Sequence, residues 1–275
     1  MLRPCGLGVK QRTAGPINPE QVIGGERGVI CGFSQDSRRR MLARLSGIQW
    51  NACPVHFITL TYHGEWGAWA EWKADLRAWR ERLWRRYGAR LQAAVWRLEF
   101  QKRGAPHFHL ALFWKPGRGP KLGTFRQWVS RAWNAVVHGD AAHLKAGTNV
   151  QAARNTSGPD VSRLLHYLGK YLAKAQTPID PTTGEILQTG RIWGVWKQLP
   201  TGEFIELTMS HETFTELTRR LRRWGQDSHY LSRLTAKWAA FLVLADSDVI
   251  LRLLRGLPIE VGVLTCPSAH SAGER

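Results

Sequence analysis

The chain has 275 residues, with 39 lysines and arginines against 21 aspartates and glutamates and a net charge of +18, far more basic than solubility requires. Such a surface binds phosphates and suits a nucleic-acid partner. Four isolated cysteines, Cys5, Cys31, Cys53 and Cys266, exclude a disulfide framework and a zinc finger and fit the free thiols of a bacterial cytoplasm. The N-terminus lacks a signal-peptide run, and the apolar stretch Ala239 to Leu254 is broken by Asp246 and Asp248, so no membrane insertion is expected.

Residues 1–45 are rich in glycine, proline and basic side chains and read as a loosely structured basic arm, with Arg38-Arg39-Arg40 opening a short helix. Residues 46–210 alternate strand and helix. A strand over Phe57-Ile58-Thr59-Leu60-Thr61-Tyr62 is followed by a helix over about 68–88, in which Trp72, Leu76, Trp79, Leu83 and Trp84 form an apolar stripe and the arginines an outer face. A strand pair over 93–114, a helix over 124–137, a strand near 148–154 and a helix over 159–175 come next. Strands near 191–198 and 203–209 complete the segment. This order predicts an α+β domain, a central antiparallel sheet with helices on one face. Residues 211–275 predict a helical C-terminal extension, with helices over 211–224 and 228–245 and a basic cluster at Arg219, Arg220, Arg222 and Arg223.

The strand pair carries the first candidate site. In Pro106-His107-Phe108-His109-Leu110-Ala111-Leu112-Phe113-Trp114, His107 and His109 share one face while the large apolar residues share the other. On the preceding strand Arg97, Glu99 and Gln101 fall together, opposite Ala94, Trp96, Leu98 and Phe100. A three-residue loop Arg103-Gly104-Ala105 places Gln101 opposite His107 and Glu99 opposite His109, gathering two imidazoles and a carboxylate. That trio suits manganese, magnesium or zinc, and three protein ligands point to a catalytic site rather than a structural one. Two incidental histidines on a surface strand are the plain alternative. Arg97 and Gln101 share the site face, where they contact phosphate or simply form a solvated polar face.

The second candidate is the helix carrying Tyr167-Leu168-Gly169-Lys170-Tyr171-Leu172-Ala173-Lys174. Tyr167 and Tyr171 are neighbours one turn apart, Lys170 and Lys174 repeat behind them, and Leu164, Leu165, Leu168 and Leu172 dock the helix. A tyrosine hydroxyl titrates near 10, so it attacks phosphorus at neutral pH only when the electrophile is polarised and the phenolate favoured. A metal on the phosphate and nearby ammonium groups meet both needs. The product is a tyrosine joined to a DNA 5′ phosphate and a free 3′ hydroxyl; a second tyrosine makes the transfer repeatable.

Taken together and in order, these motifs resemble the HUH endonuclease superfamily, and within it the rolling-circle replication initiators of plasmids and single-stranded DNA phages. Phe57 to Tyr62 resembles the first motif, Glu99 to Phe113 the metal-binding motif, Tyr167 to Lys174 the two-tyrosine nucleophile motif, and Arg191-Ile192-Trp193-Gly194 the following strand. The resemblance covers residues 46–210 and implies a ferredoxin/RRM-like sheet. It implies His107, His109 and Glu99 as ligands of Mg2+ or Mn2+, Tyr171 or Tyr167 as nucleophile with Tyr171 first, and Lys170 and Lys174 at the phosphate. The implied activity is metal-dependent, site-specific nicking and joining of single-stranded DNA at a replication origin. No Gly-x-x-x-x-Gly-Lys-Ser/Thr motif occurs, so unwinding and extension fall to a host helicase and polymerase. A two-tyrosine transposase shares the chemistry. A noncatalytic nucleic-acid-binding module on the same scaffold predicts binding without a covalent adduct.

Overall fold

The computed structural model describes residues 2–3, 6–10, 30, 32–49, 52–64, 66–153, 178–179, 183–202, 205–227, 240–243 and 247–263. In chain order the elements are β1 (Leu2–Arg3), β2 (Gly6–Lys10), α1 (Gln35–Ser46), β3 (Val55–Thr61), α2 (Trp69–Tyr87), β4 (Leu91–Phe100), β5 (Pro106–Trp114), α3 (Leu122–Val136), α4 (Ala141–Ala146), β6 (Thr148–Ala152), β7 (Trp193–Trp196), β8 (Ile205–Thr208), α5 (His211–Asp227), β9 (Ala240–Val243), α6 (Ser247–Leu254) and β10 (Glu260–Val263). They fall into two compact units, one over residues 18–41 and 50–200 and the other over residues 1–17, 42–49 and 201–275.

The first unit is built on an antiparallel sheet in the order β6-β3-β5-β4-β7. Its β3 and β5 are rich in β-branched and aromatic residues, which pack well on a pleated surface. On α2, Trp72, Leu76, Trp79, Leu83 and Tyr87 are all buried and recur at helical spacing. Helix α3 buries Phe125, Val129, Ala132, Trp133 and Val136. Both helices cover the sheet face formed by the even-numbered residues of β4 and β5. Phe108 meets Trp133 with ring centroids 6.4 Å apart, Trp114 meets Phe125 at 5.2 Å and Tyr87 at 5.7 Å, and Trp72 meets Phe100 at 5.5 Å. Each fully buried aromatic contributes roughly 1.5–3 kcal/mol of transfer free energy, so this layer supplies much of the drive for folding. Polar ends are satisfied within it: Trp133 Nε1 donates to the Thr61 carbonyl at 2.9 Å, and the Tyr62 hydroxyl donates to Asp75 Oδ2 at 2.8 Å. Helix α4, absent from the sequence-based expectation, is capped by Asp140, whose Oδ1 accepts from the His143 amide at 2.7 Å.

The expected α+β architecture, an antiparallel sheet with helices on one face, is therefore observed. The helix expected over 159–175 lies outside the described residues.

In the second unit the strand order is β10-β8-β1-β2-β9. Leu217, Leu221, Ile250 and Leu253 form its buried core, flanked by Phe214, Trp224 and Val249. Two expectations differ here. Residues 2–3 and 6–10, read as part of a loose arm, form strands, with Leu2 opposite Leu7 and Gly8 opposite Leu242. Residues 240–243, expected inside a helix, form β9. A four-residue apolar run such as Ala240-Phe241-Leu242-Val243 carries no period that separates strand from buried helix, and the pairing partner lies more than two hundred residues away in the chain. Among the described residues no helix is long and apolar enough to cross a membrane.

Candidate active site

The odd-numbered residues of β4 and β5 point away from α2 and α3, and this second sheet face carries the predicted polar set. His107 and His109 lie side by side with ring centroids 4.5 Å apart. Strand β3 runs beside them, with Thr61 opposite His107 and Thr59 opposite His109. The Thr61 Oγ1 is 3.3 Å from His107 Nδ1, and the Thr59 Oγ1 is 3.3 Å from His109 Nδ1. A hydroxyl both donates and accepts, so each threonine keeps its imidazole oriented in either tautomer.

The hairpin register differs from the expected one. Glu99 lies opposite His107, Arg97 opposite His109 and Phe100 opposite Pro106. The turn explains the shift. The Gly104 amide donates to the Gln101 carbonyl at 2.9 Å, the Gln101 amide donates to the Ala105 carbonyl at 2.9 Å, and Gly104 sits at φ 84°, so the loop absorbs Gln101 to Ala105. Because the displacement is two residues, every side chain keeps its face. Glu99 still reaches His109, now along the diagonal: its Oε2 is 3.2 Å from His109 Nε2. The other oxygen, Oε1, is 3.1 Å from Arg97 Nη1. Gln101 Nε2 donates to His107 Nδ1 at 3.2 Å, while its Oε1 accepts from Arg103 Nε at 3.0 Å.

Burial, followed by the neighbouring His109, lowers the His107 pKa to about 3, so this imidazole is neutral at physiological pH. Arg97 is 1% exposed. Burial lowers its pKa to about 10, against the opposing pull of Glu99 and with a further push from Arg38, which leaves it cationic at neutral pH. The Phe33 ring lies 4.6 Å from the Arg97 guanidinium, and Trp193 Nε1 donates to Ser37 Oγ at 2.9 Å. The segment leading into α1 thus lies over the β4–β7 side of this face. No pattern in the sequence signals that cover. The threonine contacts did have a signal, since Thr59 and Thr61 share the two-residue spacing of the histidines.

The chemistry of the donors fits a divalent cation. Neutral imidazole and carboxylate are the usual first-row ligands, and the 3.2 Å between His109 Nε2 and Glu99 Oε2 is close to the edge of an octahedron with bonds of about 2.1–2.2 Å. As the side chains stand, however, no group of three or more His, Cys, Asp or Glu among the described residues is arranged to hold a metal, His107 being engaged by Thr61 and Gln101.

Tyr167, Lys170, Tyr171 and Lys174 lie outside the described residues. Residues 55–176, which contain them together with Glu99, His107 and His109, match the family model for the ORF2 type of replication-associated protein. This central segment is a replication-associated domain of the ORF2 family. Beyond it, the chain is 28% identical over 207 residues to a replication-associated protein of Pseudomonas phage Pf3, across 73% of this chain and 70% of the phage protein. No solved structure gives a significant match. The replication-associated domain thus joins the HUH-like sheet to the type of phage replication protein that its ordered motifs resemble.

Proposed function

We propose that the chain is a rolling-circle replication initiator, a metal-dependent endonuclease and strand transferase acting on single-stranded DNA at a replication origin. The observation that carries this reading is the Glu99–His109 contact at 3.2 Å beside His107, on a sheet face free of α2 and α3. It is supported by the relationship to a phage replication-associated protein and by the family-matched segment, which also contains the tyrosine pair.

In the reaction a tyrosine phenolate oxygen attacks the scissile phosphorus and the P–O3′ bond breaks. The phosphate stays on the tyrosine as a 5′ link, and the departing 3′ oxygen takes up a proton to become a primer for a host polymerase. Chain composition narrows the nucleophile. Of the five tyrosines, Tyr62 and Tyr87 are buried against the helices on the face away from the histidines. Burial and Asp75 raise the Tyr62 pKa far above that of a free phenol, the opposite of activation. Tyr167 and Tyr171 fall inside the family-matched segment, and we assign Tyr171 as the first nucleophile and Tyr167 as the second. Lys170 and Lys174 neutralise the phosphate. His107, His109 and Glu99 would hold Mg2+ or Mn2+, which supplies Lewis-acid polarisation of the phosphoryl oxygens. Thr59 and Thr61 fix the two imidazoles, and Arg97 anchors the second oxygen of Glu99.

The test is adduct formation on single-stranded DNA from the protein's own replicon, with manganese or chelator, for the wild type, Tyr167→Phe and Tyr171→Phe. A denaturant-resistant protein–DNA band that requires metal and is lost with Tyr171→Phe supports the assignment. Tight, salt-sensitive binding with no adduct under any condition overturns it in favour of a binding module.

A further inference from the structure

On the outer side of α2 and α3 lies an open cleft of about 410 Å³ lined by Arg82, Arg85, Arg86, Trp128, Arg131 and Ala132. Arg85, Arg86 and Arg131 are exposed, while Trp128 and Arg82 are half-buried at its floor. Trp128 is locked in place, lying parallel to Phe125 at 6.0 Å and edge-on to Tyr87 at 5.0 Å. Arg82 Nη1 donates to the Ala132 carbonyl at 3.4 Å and ties the two helices together at the cleft. No carboxylate lines the cleft, and the ion pairs among the described residues involve other arginines. Four guanidinium groups around one rigid indole, with no acid to neutralise them, form a surface whose complement is a polyanion carrying flat aromatic groups.

From this geometry we infer that the α2–α3 cleft is a second DNA-binding site, which holds a single-stranded segment with its phosphates on Arg85, Arg86 and Arg131 and a base against Trp128. Only unpaired bases offer a free face for stacking, which selects single strands over duplex. The cleft lies on the far side of the helix layer from His107 and His109, so the strand it holds is a different stretch from the one at the histidines. The inference rests on the reading of the chain as a DNA-acting protein, though not on its nicking chemistry.

The test uses a mixed-sequence single-stranded 30-mer in chelator, so that no cutting intervenes, with the full chain and its R85Q/R86Q/R131Q variant. Each lost phosphate contact removes about 0.7 from the slope of log affinity against log salt, so the slope should fall by about two and affinity by roughly a hundredfold at 0.1 M salt. An unchanged slope in a variant with the wild-type thermal midpoint overturns the proposal. Photocrosslinking of iodouracil-substituted single strands to the unmodified protein gives a readout independent of the variant's folding. Crosslinks to the peptide containing Trp128 support the site, and crosslinks confined to peptides of the opposite sheet face overturn it. Adduct formation by the wild type is scored separately: its absence counts against the nicking reading, while the salt slope still decides the cleft.

Discussion

His56 offers a quantitative test of the packing between the sheet and its helices. It is 6% exposed on β3, its ring 5.3 Å from Phe125 and 5.8 Å from Trp114, and its Nδ1 has no hydrogen-bond partner. Burial lowers its pKa from 6.5 to about 4, so the folded protein keeps it neutral where the unfolded chain protonates it. The unfolded state therefore binds more protons between those values, and the stability contribution is present above pH 6.5 and is lost as pH falls towards 4. Between pH 7 and pH 5 the unfolded chain moves about 1.5 units below its titration point, which corresponds to a loss of about 2 kcal/mol. In His56→Leu, which keeps an apolar side chain against the same two rings, that share of the pH dependence disappears. Urea denaturation at pH 7 and pH 5, in chelator so that metal binding plays no part, should show the variant losing about 2 kcal/mol less than the wild type over this interval. Equal losses would refute the placement of a neutral His56 in the core.

Three further outcomes follow from the site. Arg97→Met leaves the Glu99 carboxylate half-buried without its partner and should destabilise the fold by about 2–4 kcal/mol in urea titrations. Adding Glu99→Gln should recover part of that loss, whereas strictly additive effects would show that the pair is not coupled. Thr59→Val and Thr61→Val keep side-chain shape but remove the hydroxyls that orient the imidazoles; each should weaken Mn2+ binding by roughly 10–100-fold in calorimetry with little change in thermal midpoint. Tyr62→Phe removes the hydroxyl bonded to Asp75, and should cost about 1–2 kcal/mol while leaving any DNA adduct intact.

The strength of the periodic signals explains how much of this was legible in the sequence. Helix α2 announces itself through buried residues at 72, 76, 79, 83 and 87, and the alternation of His107 and His109 with Phe108 and Leu110 assigns faces without ambiguity. The turn was harder. Arg103-Gly104-Ala105 looks like a complete hairpin loop, yet the hydrogen bonds of Gln101 draw two more residues into the turn and move Glu99 to the diagonal. Parity survived because the shift was even, so the site face was read correctly from an incorrect register. The Phe33–Arg97 contact was invisible, since it joins residues 64 positions apart through a segment without periodicity. The strands of the second unit, two to five residues long, were likewise too short for alternation to register.

The central claim is that a tyrosine of the family-matched segment becomes covalently joined to DNA beside the Glu99–His109 pair. Proteolysis of the adduct formed on replicon single strands in manganese, followed by mass spectrometry of the DNA-linked peptide, reads this directly. The account predicts a peptide modified at Tyr171, or at Tyr167 after a second transfer, and no modified peptide in chelator. A linkage at any other residue, or equal yield without metal, would contradict it.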